Sequence, residues 1–396
     1  MTMAVLSLGM RDRPVEVTPT KGVRDFFAFC RLPRLIYKNE LGYVPPLDAE
    51  RWTLFSRRLN PHFRRVQSQT WLARKNGKLA GRISAQIYNH GCVPVGVSRA
   101  QFGCLDSIDD DEVVAALTRS AENWLRERGA DHVHGPFSPS INSETGLLVQ
   151  GFIERPMIFV PWSPAYLGKS LERQGYKKAR DLISYRYDVS EKDKIACHRM
   201  VERAEWRNRL KIRAIDLKNL GKEAETIVDI FNDAWSGNWG FVPFTIDEFM
   251  SSAEALKWVV PPENGFMKGG FMIEIDGVPQ AFALVLPNLY EVTADLGGHL
   301  FPLGLLRMML RIRHHAFVSG RLALFGIRRA LHRTVAGGAV ILAFINEIRR
   351  RSICTAIEHV EFGWVLEDNF GMRRPIELSG GKIYKVHRIY EKRLTA

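Results

Sequence analysis

The sequence predicts an α/β protein, α+β in its details, made of two tandem units that each carry a mixed sheet. Three observations predict it. Paired alternating apolar runs around a tight-turn dipeptide occur once in each half, at Asn76-Gly77 and at Asp276-Gly277. Each pair precedes an apolar run and a helix-period stretch. Each half then closes on a glycine stop and a tyrosine-rich alternating strand.

Taken in order, TWLARKNGKLAGRISAQI (70–87) is the first hairpin, QFGCLD (101–106) a strand, and DEVVAALTRSAENWLRERG (111–129) a helix. AYLGKSLERQGYKKARDLISYRYDV (165–189) reads as helix, stop, strand. The second half repeats the plan with FMIEIDGVPQAFALVL (271–286), RLALFGI (321–327), AVILAFINEIRRR (339–351) and NFGMRRPIELSGGKIYKVHRIYEKRL (369–394). The same element order twice, at low identity, is an internal duplication. A charged stretch from Ser190 opens the second half, so domains are expected over 1–190 and 191–396.

The chain has 396 residues, 46% hydrophobic and 25% charged, which is ordinary globular composition. Its 56 Lys+Arg against 43 Asp+Glu leave a net charge of +13, which favours an anionic partner. Five scattered cysteines, without a CxxC, read as reduced thiols of a cytoplasmic protein, and no metal is expected. Arg11, Asp12 and Arg13 interrupt the mildly apolar start, so no signal peptide is read. No window reaches the roughly 18 apolar residues that a membrane span needs.

The stretch from Arg321 to Arg351 is strand, basic loop with Gly337-Gly338, helix. Such a turn directs backbone N–H groups from the positive end of a helix dipole, which suits a pyrophosphate. The equivalent place in the first half, after Asp106, is Ser-Ile-Asp-Asp-Asp-Glu, an acidic cap that repels phosphate. Only the second half is therefore expected to hold a nucleotide-type cofactor.

With these elements placed, the second half resembles the Gcn5-related N-acetyltransferase (GNAT) fold. The whole chain resembles the tandem GNAT-like acyltransferase family that includes the bacterial ceramide synthases. YVPPL (43–47), NPHF (60–63), GPFSPSINSETGLLVQGF (135–152), FNDAWSGNWGFVPF (231–244) and WVLEDNFGMRR (364–374) carry the likeness. It implies two acyl-CoA N-acyltransferase domains, a long-chain acyl-CoA as donor, and a lipid-like amine such as a sphingoid base or 3-ketosphinganine as acceptor. The usual loop, Arg/Gln-x-x-Gly-x-Gly/Ala, is altered here: His332 to Gly337 puts Val335 at the first glycine, and Arg333 to Gly338 puts Ala336 there. Arg333, Thr334, Ala336, Gly337 and Gly338 are the loop's cofactor contacts, with Arg328 and Arg329 nearby.

Acyl transfer to an amine needs a polarised carbonyl, a neutral amine and a proton for the leaving thiolate. Backbone groups at Phe325 and Ile327 are expected to serve the carbonyl. Glu361, favoured by the family pattern over Glu291, Asp295, His299 and His359, is the expected base. Tyr384 is the general acid or a core tyrosine; strand alternation would set it on the face opposite Lys385. Asn369 either caps the next helix or holds the pantetheine arm.

The run AWSGNWGFVPF (234–244) places Trp235, Asn238, Trp239 and Phe241 either on the wall of a lipid acceptor cleft or in a packed turn. Asn142 and Glu144 reach the acceptor head group or begin a helix. LFPLGLLRMMLRIRHHAFVSGR (300–321) reads as an interfacial helix on an anionic membrane, or as a buried helix with snorkelling arginines. The expected function is N-acylation of a long-chain amine by a protein peripheral to the inner membrane. The rivals are acylation of a small polar amine and a non-catalytic acyl-CoA-binding module. Nucleic acid is not an expected partner, because the basic clusters lie beside apolar helices.

Overall fold

The computed structural model describes residues 14–189, 208–257, 270–353 and 355–394. The charged opening of the second half, Cys197 and Cys354 lie outside them. The first half comprises β1 (Glu16–Pro19), α1 (Gly22–Ile36), α2 (Asp48–Phe55), β2 (Val66–Lys75), β3 (Lys78–Tyr88), β4 (Ala100–Ser107), α3 (Asp111–Arg126) and β5 (His132–Gly135). Then come β6 (Phe137–Ser138), β7 (Glu144–Thr145), β8 (Leu147–Gln150), α4 (Ala165–Arg173) and β9 (Lys177–Asp188). The second half has β10 (Leu210–Ala214), α5 (Leu220–Trp235), α6 (Ile246–Lys257), β11 (Gly270–Ile275), β12 (Val278–Pro287) and α7 (Tyr290–Thr293). It continues with α8 (Gly304–His314), β13 (Ser319–Ile327), α9 (Val335–Ile353), β14 (His359–Leu366), α10 (Phe370–Leu378) and β15 (Lys382–Arg393).

Both turns expected from sequence are present. Asn76 and Gly77 sit at φ 52° and 76°, Asp276 and Gly277 at 53° and 79°, the paired left-handed conformation of a two-residue hairpin loop. Each hairpin leads into an antiparallel neighbour, β4 or β13, and that strand then takes a parallel partner, β5 or β14.

The two halves share one sheet and exchange their last strands. Its order is β1-β2-β3-β4-β5-β15-β9-β14-β13-β12-β11-β10, with β8 also paired to β15. Tyr185 and Tyr187 of β9 are buried in the apolar core of the second half, whereas Tyr390 of β15 is buried in that of the first. The tyrosines foreseen as strand residues thus stitch each half to the other.

Under the second half of the sheet, Val340, Phe344 and Ile348 of α9 recur at i, i+4, i+8 and are almost wholly buried. The Phe344 ring lies 4.4 Å from that of Phe325 on β13 and 6.0 Å from that of Phe362 on β14. Burying such a ring contributes about 2–3 kcal/mol. Here it also braces the two strands that frame the site.

Candidate active site

β13 pairs with β14 only from Ser319↔His359 to Leu322↔Phe362, and beyond that the strands part. Just past β13 the Arg328 N–H donates to the Gln280 carbonyl of β12. The Phe325 and Ile327 carbonyls face the other way, accepting from Trp235 Nε1 at 3.0 Å and His332 Nε2 at 2.9 Å. A residue's N–H and C=O leave such a strand on the same side, so Phe325 and Ile327 turn their N–H groups toward the gap. In the first half the matching gap is filled. A Cβ on Gly103 would meet the Phe137 carbonyl oxygen at 1.7 Å, and Ser138 Oγ accepts from the Cys104 N–H at 2.9 Å.

Next to the gap, Thr334 caps α9 by accepting from the Gly337 N–H at 3.0 Å. The two loop glycines differ. A Cβ on Gly337 would stand 2.1 Å from the Leu331 carbonyl oxygen, whereas one on Gly338 would meet nothing within 4 Å. Gly337 is required by the loop's own packing, and Gly338 leaves open space at the first turn of a helix, where a phosphate would approach. Arg328 and Arg329 are already engaged: the Arg328 guanidinium lies 2.6 Å from Asp229, and Arg329 donates through its backbone to Asp233 and through its side chain to Ser236. Arg333, exposed at φ 59°, is the loop cation that no carboxylate holds among the described residues. Val335 and Ala336, where the usual loop has glycine, form the start of α9 itself.

Glu361 and Tyr384 do come together. Tyr384 donates its hydroxyl to Glu361 Oε2, and Lys385 Nζ lies 3.4 Å from the same oxygen and 3.0 Å from the Tyr384 hydroxyl. Arg321 Nε is 3.1 Å from Glu361 Oε1, close enough for an ion pair although not aligned as a hydrogen bond. Burial of Glu361 opposes its charge, but Lys385, Arg321 and the Tyr384 hydroxyl outweigh it and hold the carboxyl below its usual range. Burial and the facing Glu361 carboxylate raise Tyr384. Glu361 is fully buried while Tyr384 is half-buried, so the hydroxyl is the member of the pair nearer to solvent.

Lys385 was not foreseen on this side. Strand alternation set it opposite Tyr384, but the register of β15 against β9 shifts between Ile383 and Lys385, and that bulge turns both side chains toward Glu361. Arg321, read both as the first residue of the RLALFGI strand and as the end of a membrane helix, is a buried residue of β13. The other proposed bases are occupied. Glu291 accepts from His315 at 2.9 Å and from the Val318 and Ser319 N–H groups, Asp295 pairs with Arg311, and His299 faces Asp48 at 3.7 Å. Burial and neighbouring Arg186 hold His359 below its ordinary value. Asn369 caps α10 by accepting from Met372, as the alternative reading had it.

The aromatic run divides. Trp235 stays by the gap, edge-on to Trp364 at 6.0 Å. Trp239 leaves it to pack against Gly96 and edge-on to the His134 ring of the first half, and Phe241 is buried beside Phe231. Asn238 makes the turn between them, its backbone carbonyl accepting from Phe241. Asn142 pins the run by donating to the Val242 carbonyl at 3.3 Å, and no helix begins there; Glu144 lies in β7. Glu144 makes a bidentate pair with buried Arg51 at 2.6 and 2.8 Å. Both line a polar cavity of about 80 Å³ together with Arg34, Asp48, Arg82 and Tyr290. Pro156, Val160 and Pro161 also line it, and their loop covers the Glu361 cluster, since the Ile158 and Pro161 carbonyls accept from Arg321 and His387.

One further group, His132, His134 and Glu391, gathers three potential metal ligands. The Ser98 N–H donates to His134 Nδ1 at 3.1 Å, which puts the ring proton on Nε2, against Glu391. That tautomer has no lone pair to offer an ion at Nε2.

No family model matches the chain. It is 35% identical over 381 residues to the bacterial ceramide synthase of Caulobacter vibrioides (strain NA1000 / CB15N), an alignment covering 96% of this chain and 98% of the other. The chain belongs to the tandem GNAT-like acyltransferase family that includes the bacterial ceramide synthases. Protein YghO of Escherichia coli (strain K12) is a second relative, 35% identical over 373 residues and 93% of each chain. The fold agrees with that of a solved tandem GNAT protein from the clavulanic acid biosynthesis pathway, at a TM-score of 0.52 and 11% identity over 96% of this chain and 99% of that one. Like its family, this tandem GNAT-like protein is an N-acyltransferase.

Proposed function

We propose that the protein transfers a long-chain acyl group from acyl-CoA to the nitrogen of a lipid-like amine, most directly a sphingoid base or its 3-keto form. The observation that carries this reading is the parting of β13 and β14 beside the Glu361–Tyr384 pair. The likeness to the Caulobacter ceramide synthase supports the acceptor class. In this reading residues 191–396 bind the thioester and residues 1–190 shape the acceptor cleft.

The bound acyl-CoA supplies an electrophilic carbonyl carbon and a thiolate leaving group. Phe325 and Ile327 N–H groups hold the carbonyl oxygen as it gains charge. Arg333, Ala336, Gly338 and the capped start of α9 hold phosphate, and Trp235 bounds the acyl carbonyl. As the amine's lone pair forms the C–N bond, the C–S bond breaks and its electron pair leaves on sulfur. The amine's surplus proton passes to the Tyr384 oxygen while the Tyr384 proton passes to Glu361, which is ionised and ready to receive it.

Membrane association rests on α8 and the turn before it. Phe301, Leu303, Leu306 and Leu310 are more than half exposed, with exposed Arg307, Arg313 and His314 among them. Met308 and Ile312 anchor the helix from beneath. Such a face suits an anionic bilayer at the inner membrane. No helix among the described residues is long and apolar enough to cross one. A small polar amine is the second reading, favoured by the polar, narrow cavity around Arg51 and Glu144.

The test is to incubate purified protein with long-chain acyl-CoA and sphinganine or 3-ketosphinganine, following free CoA and the amide by mass spectrometry. The expected result is stoichiometric release of both. Acyl-CoA binding without turnover of any amine would overturn the enzymatic reading, and turnover of polar amines alone would select the second.

A further inference from the structure

We propose that Lys385 is a positioning residue for this reaction: one buried ammonium sets the Glu361–Tyr384 pair and ties a loop of the first half over it. The proposal rests on the roles given above to that pair. Lys385 is 1% exposed, and its three donors have three partners: the Arg155 carbonyl at 2.7 Å, the Tyr384 hydroxyl at 3.0 Å and Glu361 Oε2 at 3.4 Å. A buried cation is costly unless every donor is met, and an apolar side chain of like volume would pack here more cheaply. Its presence asks for a reason other than packing.

The partners supply one. A tyrosine oxygen has two lone pairs. With one accepting from Lys385, the O–H is directed at Glu361 and the remaining lone pair is free for the proton of the incoming amine. Lys385 thereby fixes the rotation of the hydroxyl on which the relay depends. It also supplies one of the two cations that keep Glu361 ionised, Arg321 being the other. The groups facing Lys385 are Glu361 from β14, Arg321 from β13, Tyr384 and His387 from β15, and Glu154 from the covering loop; Arg186 of β9 stands near Tyr384 and Glu154.

The third contact reaches the other half of the chain. Lys385, Arg321 and His387 donate to the carbonyls of Arg155, Ile158 and Pro161, three points on one first-half loop. Two of these three side chains also hold Glu361. The loop and the carboxylate therefore share their supports, and the Lys385 ammonium joins both to Tyr384.

Lys385→Met and Lys385→Arg test this in the full chain, with kcat and KM measured across pH 5–9 and hydrogen exchange followed over residues 151–163. For K385M the expected result is a roughly hundredfold loss of kcat with acyl-CoA KM within about threefold. The acid limb of the kcat profile moves to higher pH, because Glu361 has lost one cation, and loop exchange rises about tenfold. K385R keeps the charge but not the compact ammonium: its acid limb stays in place while kcat falls about tenfold. Wild-type kcat and acid limb in K385M, or a limb displaced in K385R, overturns the proposal. Should K385M fail to fold, the K385R limb decides. If the wild type turns over no amine, the reaction assigned above fails, and unchanged loop exchange in either variant then rejects the clamp by itself.

Discussion

Trp235 holds its indole N–H on the Phe325 carbonyl at 3.0 Å and its ring edge-on to Trp364 at 6.0 Å. One side chain of α5 thus touches both strands at the point where they part. The contact holds the backbone of Phe325, the residue whose own N–H turns toward the same gap. Trp235→Phe keeps an aromatic ring but loses the donor, at about 1 kcal/mol. Turnover of acyl-CoA is expected to fall about fivefold with little change in melting temperature, as steady-state kinetics and thermal scans would check.

The two loop glycines should separate folding from binding. Gly337→Ala drives a Cβ against the Leu331 carbonyl and is expected to destabilise the protein by about 2 kcal/mol. Gly338→Ala meets open space, so stability holds while acyl-CoA affinity falls roughly tenfold. Urea unfolding and calorimetric titration with acyl-CoA would measure the two effects.

Glu361 and Tyr384 act in series in the proposed relay. Glu361→Gln and Tyr384→Phe should each lower kcat about 10²–10³-fold, and the double variant should be no worse than the poorer single one. Additive losses would show that the two act separately. Rapid-quench measurement of amide formation would tell these outcomes apart.

Among the buried histidines, His134 and His387 weigh most on the acid side of the stability profile, burial lowering His62 and His359 as well. Burial pushes His134 and His387 down to about 4. Each is neutral in the fold while the unfolded chain takes up a proton below its ordinary value, so stability is complete above about pH 6.5 and is lost as pH falls toward 4. Between pH 6.5 and 5 the loss is roughly 2 kcal/mol for each site. Urea titrations at both pH values would show it, and His387→Gln, which keeps a donor for Pro161, should remove about half.

The apolar face of α8 predicts a surface effect distinct from catalysis. Leu306→Asp with Leu310→Asp should abolish sedimentation with anionic vesicles and leave turnover of a detergent-solubilised amine within about twofold. Raised salt should weaken the wild-type binding, since exposed Arg307 and Arg313 supply its electrostatic part.

Local signals were legible in the chain. Asn76-Gly77 and Asp276-Gly277 announced their hairpins, and Asp110 caps α3 as the acidic stretch implied; Glu361 and Tyr384 were named separately, and their contact was not foreseen. Non-local pairing was not legible. Nothing in the local pattern of β9 or β15 says which half it enters, because alternation fixes the faces of a strand and not its neighbours. Lys385 was hidden by a bulge, and Arg321 by an apolar-basic context shared with α8. Glu144 was read toward the acceptor head group or a helix start because its partner, Arg51, lies 93 residues away in sequence.

The exchange of β9 and β15 also bears on how the chain comes to be folded as it is made. Residues 382–393 lie between β5 and β9, and Tyr390 and Leu394 complete the first half's core. On the ribosome the first half would therefore stand with an unpaired edge and an unfilled core until β15 had been made. Its closure waits on a strand of the second half, as the second half's core draws on β9, so the folding of each half is coupled to that of the other.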